Sequence, residues 1–125
     1  MAGVDMGPAA LRVARLHQRI AALGYSVTDF GDLHPDRPQA APAPDDKLKY
    51  LTEISKVCEQ LALRVDEILS SDQLPVILGG VHSIAIGSFS GVASFFRKRQ
   101  ESIGLLWFDA HGMAHAVGQI DEPDK

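Results

Sequence analysis

Leu74-Pro75-Val76-Ile77-Leu78-Gly79-Gly80-Val81-His82-Ser83 is the stretch on which the fold turns. Residues 74–78 form a short apolar run with almost no alternation, the pattern of a central parallel strand covered on both faces. Gly79 and Gly80 let the backbone turn tightly where the run stops. They lack the third glycine of a dinucleotide fingerprint and the Lys-Ser/Thr of a P-loop. Downstream, the spacing predicts a helix over 83–99 and a second apolar run over 103–108. Upstream, it predicts a helix over 47–70, capped by Asp45 or Asp46, whose Leu48, Leu51, Cys58, Leu61, Val65, Ile68 and Leu69 make one stripe. Four prolines (Pro35, Pro38, Pro42, Pro44) mark residues 31–46 as an exposed loop. Before it come a short strand over 25–30 and a first helix, which starts at Pro8 and stops at a left-handed Gly24. The order α-β-α-β-α-β predicts a three-layer α/β fold, a parallel sheet with right-handed crossovers and helices on both faces.

Composition narrows the function classes. The 125 residues carry 12 Lys+Arg and 16 Asp+Glu, a net charge of −4, with no basic cluster, which argues against a nucleic-acid partner. Apolar residues make up 46%, enough for a packed core, yet no apolar run reaches the ~18 residues of a membrane span. A single cysteine, Cys58, excludes an internal disulfide and fits a reducing compartment. With no signal-peptide pattern at the amino terminus, the expectation is a soluble cytoplasmic chain with no membrane partner. Cys58 lies within an apolar helical stripe and reads as a small core residue.

Ligands of open parallel sheets gather outside the carboxyl ends of the strands. Here those ends carry His82 and the run Asp109-Ala110-His111. Residues two apart in an extended segment point the same way, so Asp109 and His111 can face one point, and His82 reaches it if the two strands are neighbours. Carboxylate mixed with imidazole suits a divalent first-row metal such as manganese, zinc or iron. The plainer reading has His82 or Ser83 simply begin a helix. His111 and His115 make an i,i+4 pair, but Gly112 between them weakens it as a helical motif. Gly87-Ser88-Phe89-Ser90-Gly91 superficially resembles a nucleophile elbow but lacks a glycine two residues before Ser90, so its small residues are expected to allow close helix packing.

Three segments, in order, carry a family resemblance. Gly3-Val4-Asp5-Met6-Gly7-Pro8-Ala9-Ala10-Leu11-Arg12 resembles the amino-terminal signature of bacterial arginases within the ureohydrolase family. Residues 75–88 resemble its Gly-Gly-Asp-His-Ser segment, and Leu106-Trp107-Phe108-Asp109-Ala110-His111-Gly112 resembles its Asp-Ala-His-x-Asp segment. The resemblance implies a parallel α/β fold and a two-manganese site that activates water against a guanidinium carbon, giving urea and an amine (ornithine when the small-molecule substrate is L-arginine). Carried over, His82 would ligate one manganese, His111 the other, and Asp109 would bridge them.

The pattern also breaks. Val81 stands where the family has an aspartate, Met113 where it has a ligand aspartate, and His115 where it has a substrate-binding asparagine. The family's later Ser-x-Asp-x-Asp segment and substrate-binding glutamate have no counterpart in these residues. The expectation is therefore a truncated arginase-like domain over 1–112, a divergent tail over 113–125, and an incomplete manganese site. It is an enzyme by resemblance but inactive by itself; the alternative is a noncatalytic fragment with at most one weak metal site. Because so few strands are expected, an exposed apolar sheet edge and oligomerisation are expected too.

Overall fold

A computed structural model describes residues 6–34 and 50–108. They contain four helices: α1 (Gly7–Val13), α2 (Leu16–Ala22), α3 (Leu51–Ser70) and α4 (Ile84–Lys98). Pro8 stands in the first turn of α1, where a missing N–H leaves no intrahelical bond unmade. The single helix expected over 8–24 is in fact two. The amides of Ala14 and Arg15 close back on the carbonyls of Ala10 and Arg12, both at 2.9 Å, and Arg15 then takes a left-handed conformation, φ 61°. For a residue with a side chain that conformation costs roughly 1–2 kcal/mol. It redirects the chain before the Arg19 amide bonds to the Arg15 carbonyl and starts α2. Gly24, at φ 92°, ends this pair as the sequence suggests.

The core is the seam between α3 and α4. Leu61 and Val65 are the buried apolar side chains among the described residues, Val65 only 1% exposed. Opposite them sit Gly87 and Gly91, both buried. A Cβ on Gly87 would lie 2.6 Å from the Cys58 carbonyl oxygen, and one on Gly91 would lie 2.5 Å from that of Ala62 and 2.7 Å from the Cβ of Val65. The glycines thus let two helix backbones approach more closely than any side chain would permit, which is the close packing expected of 87–91. Both ends of the seam are tied. At one, the Cys58 thiol donates to the Ser83 carbonyl at 3.3 Å; at the other, Lys98 Nζ contacts both carboxylate oxygens of Asp66 at 2.8 and 3.0 Å. Lys98 is well exposed, so that ion pair is worth at most about 1 kcal/mol.

α3 and α4 end alike. The Gln73 amide reaches back to the Ile68 carbonyl and that of Glu101 to Phe96, while Asp72 (φ 57°) and Gln100 (φ 58°) hold the left-handed position between. Glycine usually fills this place, free of the Cβ penalty. Gln100→Gly is therefore expected to stabilise the chain by up to about 1 kcal/mol, read as a higher midpoint in thermal unfolding followed by circular dichroism.

The expected sheet is not formed among the described residues. Residues 25–30, 74–78 and 103–108 are neither helical nor paired in a ladder. A strand exists only through hydrogen bonds to a neighbouring backbone, and no ladder pairs these segments among the described residues. Their apolar side chains, Leu74, Val76, Leu106 and Phe108 among them, are exposed, whereas a three-layer fold would cover them. The Asp45 or Asp46 cap, most of the proline-rich loop and the 113–125 tail lie outside the described residues.

Candidate functional site

His82 occupies the turn that carries the chain from the 74–78 segment into α4. Its carbonyl accepts the Ala85 amide at 2.9 Å, while Ser83 accepts Ile86 at 3.2 Å and Val81 accepts Ile84 at 3.4 Å. The plainer reading of His82 is thus correct for its backbone, which opens the helix. Its imidazole does something else and stacks on Trp107, with centroids 6.0 Å apart and planes 23° from parallel. Trp107 stands two residues before Asp109. The turn that follows the first apolar segment and the end of the second therefore meet.

The approach to His82 explains one of the glycines. A Cβ on Gly79 would run into the tip of the Ile84 side chain, so any larger residue at 79 requires Ile84 to shift as the chain doubles back toward α4. From the other side, the start of α1 comes close. A Cβ on Gly7 would stand 3.4 Å from the Gly79 carbonyl oxygen. The amino-terminal motif, the Gly-Gly-Val-His-Ser turn and the end of the 103–108 run are thus gathered into one neighbourhood, although Gly7 and Gly79 stand 72 positions apart in the sequence.

Of the three candidate ligands, His82 is described, and Asp109 and His111 lie outside the described residues, as does His115. Among the described residues, no group of three or more His, Cys, Asp or Glu converges as a metal would require. The described part therefore contributes one donor, an exposed imidazole, of a kind that suits a first-row divalent ion. Val81 beside it, where the family has a carboxylate, is also exposed.

A second cluster has no counterpart in the sequence reading. Arg12, the last residue of the amino-terminal motif, forks onto Asp29, with Nε at 2.7 Å from Oδ2 and an η nitrogen at 3.1 Å from Oδ1. Its other η nitrogen reaches Asp32 Oδ1 at 2.7 Å, and the Gly31 amide donates to Asp29 Oδ1 at 2.8 Å. This clasp holds residues 29–32 against α1, and the Arg64 guanidinium lies 5.7 Å from the Phe30 ring centre, tying the same stretch to α3. A bidentate arginine is the strong form of this contact. Nothing in the sequence spacing announces it, because the partners lie 17 and 20 residues apart; two aspartates flanking a glycine were the one available hint.

Hydrogen bonds from Arg12 first, and then from the Gly31 amide, lower the Asp29 carboxyl to about 2 from its ordinary 3.8; the bonds to Asp29 and then Asp32 raise the Arg12 guanidinium. A carboxyl with a depressed folded-state pKa stabilises the fold above its unfolded value and loses that contribution as pH falls through the folded one. The stability difference between the native chain and Asp29→Asn is thus expected to be full above about pH 4 and to vanish near pH 2. Thermal melts of both proteins across that range read it directly.

A shallow cavity of about 360 Å³ on the α3–α4 face is lined by Glu59, Ala62, Leu63, Asp66, Ser94 and Lys98. It shares no residue with the His82 neighbourhood, and the Lys98–Asp66 pair already spans it. No helix among the described residues is long and apolar enough to cross a membrane.

Comparison with known proteins falls on the same motifs. The arginase family matches residues 1–116. The arginase of Bacillus subtilis is 41% identical over 110 residues, covering 88% of this chain and 35% of the relative. That of Bacillus caldovelox is 40% identical over 111 residues, covering 88% and 36%. The crystal structure of Bacillus subtilis arginase superposes with a TM-score of 0.73 at 39% identity, covering 86% of this chain and 34% of that one. The structural neighbour is an α/β protein, which supplies at the level of the family the fold class that the described residues do not form. The chain spans about a third of the length of the relatives it matches.

Proposed function

The chain belongs to the arginase family, and on that premise we propose that His82, Asp109 and His111 make a partial manganese site of the ureohydrolase kind, directed at the guanidinium of L-arginine. The observation that carries the proposal is the stack of His82 on Trp107. It joins the turn that bears the first candidate ligand to the segment that leads into the other two. When bound, manganese supplies activation of a water for attack on an electrophilic carbon. This chain's own residues supply orientation. The start of α4 fixes the His82 backbone, the Trp107 ring steadies its imidazole, and Gly79 gives the turn room.

Val81 and Met113 are apolar where the family has carboxylates, so the charge needed to hold two divalent cations side by side is lacking at these positions. A manganese held by one imidazole and one carboxylate keeps most of its shell as water and binds weakly. These substitutions favour a second reading: a noncatalytic member of the family with at most one weak metal site. A single experiment separates the two. Manganese is titrated into the purified 125-residue chain by calorimetry, and urea release from arginine is measured in excess metal. The expected result is one weak site and no urea; two tight sites with sustained turnover would establish the catalytic reading instead.

A further inference from the structure

α1 connects two places that the sequence keeps apart. At its start, a Cβ on Gly7 would stand 3.4 Å from the Gly79 carbonyl oxygen, so the two backbones are separated by little more than a methyl group. Gly79 lies three residues before His82. Near its end, Arg12 forks onto Asp29 and reaches Asp32, at 2.7 Å to each. The helix rises about 7.5 Å between Gly7 and Arg12, and its hydrogen bonds carry a displacement at one end through to the other.

A second route joins the same two places. Phe30, within the clasped segment, lies 5.7 Å from the Arg64 guanidinium of α3. Further back along α3, the Cys58 thiol donates to the Ser83 carbonyl at 3.3 Å, next to His82. These contacts close a ring through α1, residues 29–32, α3, the first turn of α4 and the turn over 79–83. Within a closed ring, the length of each link fixes the placement of the others. The Arg12 clasp is the link made of several charge-assisted hydrogen bonds, the strong and directional kind. The remaining links are a cation near a ring, a thiol bond and a van der Waals approach.

We infer that Arg12 is a positioning residue for the His82 turn: by fixing α1 on Asp29 and Asp32 it sets how closely Gly7 approaches Gly79, and so how the His82 imidazole lies on Trp107. Arg12 itself holds no metal and moves no proton. The inference deepens the proposed metal site and rests on His82 being a ligand there, yet the placement of the imidazole is readable without metal.

Trp107 is the only tryptophan in the chain, and an imidazole lying on the indole quenches its emission by contact. In the metal-free 125-residue chain, Arg12→Ala and the double variant Asp29→Asn with Asp32→Asn are each expected to raise that emission. The helix signal in circular dichroism is expected to stay native. Asp66→Asn removes an ion pair of 2.8 Å that lies outside the ring, and is expected to leave the emission unchanged. Guanidinium chloride, added to Arg12→Ala well below denaturing concentration and compared with equal sodium chloride, can neutralise the two carboxylates but cannot tie them to α1. It is therefore expected to leave the emission raised. Calorimetric titration with manganese should show Arg12→Ala binding about 10-fold more weakly than the native chain, as loss of a supporting group does. Native emission in Arg12→Ala and in the double variant would overturn the inference. So would reversal by guanidinium, an equal rise in Asp66→Asn, or a rise found only together with loss of the helix signal. Raised emission in a chain that binds no manganese even in its native form upholds the positioning role and counts against the metal site, so the two fail separately.

Discussion

Gly91→Ala is expected to pull α3 and α4 apart. In an exposed helix the change would help, since alanine is favoured over glycine by up to about 1 kcal/mol. Here the new methyl would meet the Ala62 carbonyl oxygen at 2.5 Å and the Val65 Cβ at 2.7 Å. The first of these is backbone and cannot swing aside as a side-chain tip could. Relief requires the helices to separate, and separation uncovers Val65 and Leu61, the buried apolar side chains of the described region. Overpacking of this sort costs about 1–3 kcal/mol, a large share of the stability of any small domain. Gly87→Ala meets the Cys58 carbonyl in the same way, and the double variant is expected to lose the cooperative transition altogether. Circular dichroism melts decide it. Ser90→Ala, on the exposed side of the same helix, serves as the control and should melt at or slightly above the native temperature.

Manganese binding should depend on His82 to a degree that a bracing role alone would not produce. In the proposed site His82 is one of three ligands, so His82→Ala removes an imidazole donor outright. Loss of a group that merely supports a ligand typically costs 10–100-fold in affinity, and loss of the ligand itself is expected to exceed that range. Trp107→Leu, which removes the ring that steadies the imidazole at 6.0 Å, should fall within it, as read by calorimetry. Trp107 is also the only tryptophan in the chain, so a paramagnetic ion bound beside it quenches an emission that has one source. Titration of native, His82→Ala and His82→Gln proteins, followed by that emission, gives the three affinities. Equal quenching in all of them would remove His82 from the site.

The helices were legible in the sequence for a simple reason: their faces are sorted by period. The stripe through Cys58, Leu61 and Val65 marks the side of α3 that meets α4, and glycines four apart mark the matching side of α4. Predicted bounds of 47–70 and 83–99 differ from Leu51–Ser70 and Ile84–Lys98 chiefly at the first of these starts, where 47–49 fall outside the described residues. Three features were not legible. The left-handed turn at Arg15 has no glycine to announce it. The Arg12 clasp joins residues that only the folded chain brings together. The strands expected over 25–30, 74–78 and 103–108 are not paired among the described residues, because an apolar pattern records what a segment would bury and says nothing of whether a neighbour has arrived. The candidate site follows the same division. Residue types at 82, 109 and 111 carry the proposed chemistry, while the one contact described there, imidazole on indole, depends on geometry alone.

The bond from the Cys58 thiol to the Ser83 carbonyl has a kinetic side. A thiol reacts through its thiolate, and the proton that must leave is the one engaged in this bond. A reagent that reaches Cys58 competes with this bond at the junction of α3 with the first turn of α4. With one cysteine in the chain, every adduct reports on that junction and on no other place in the molecule.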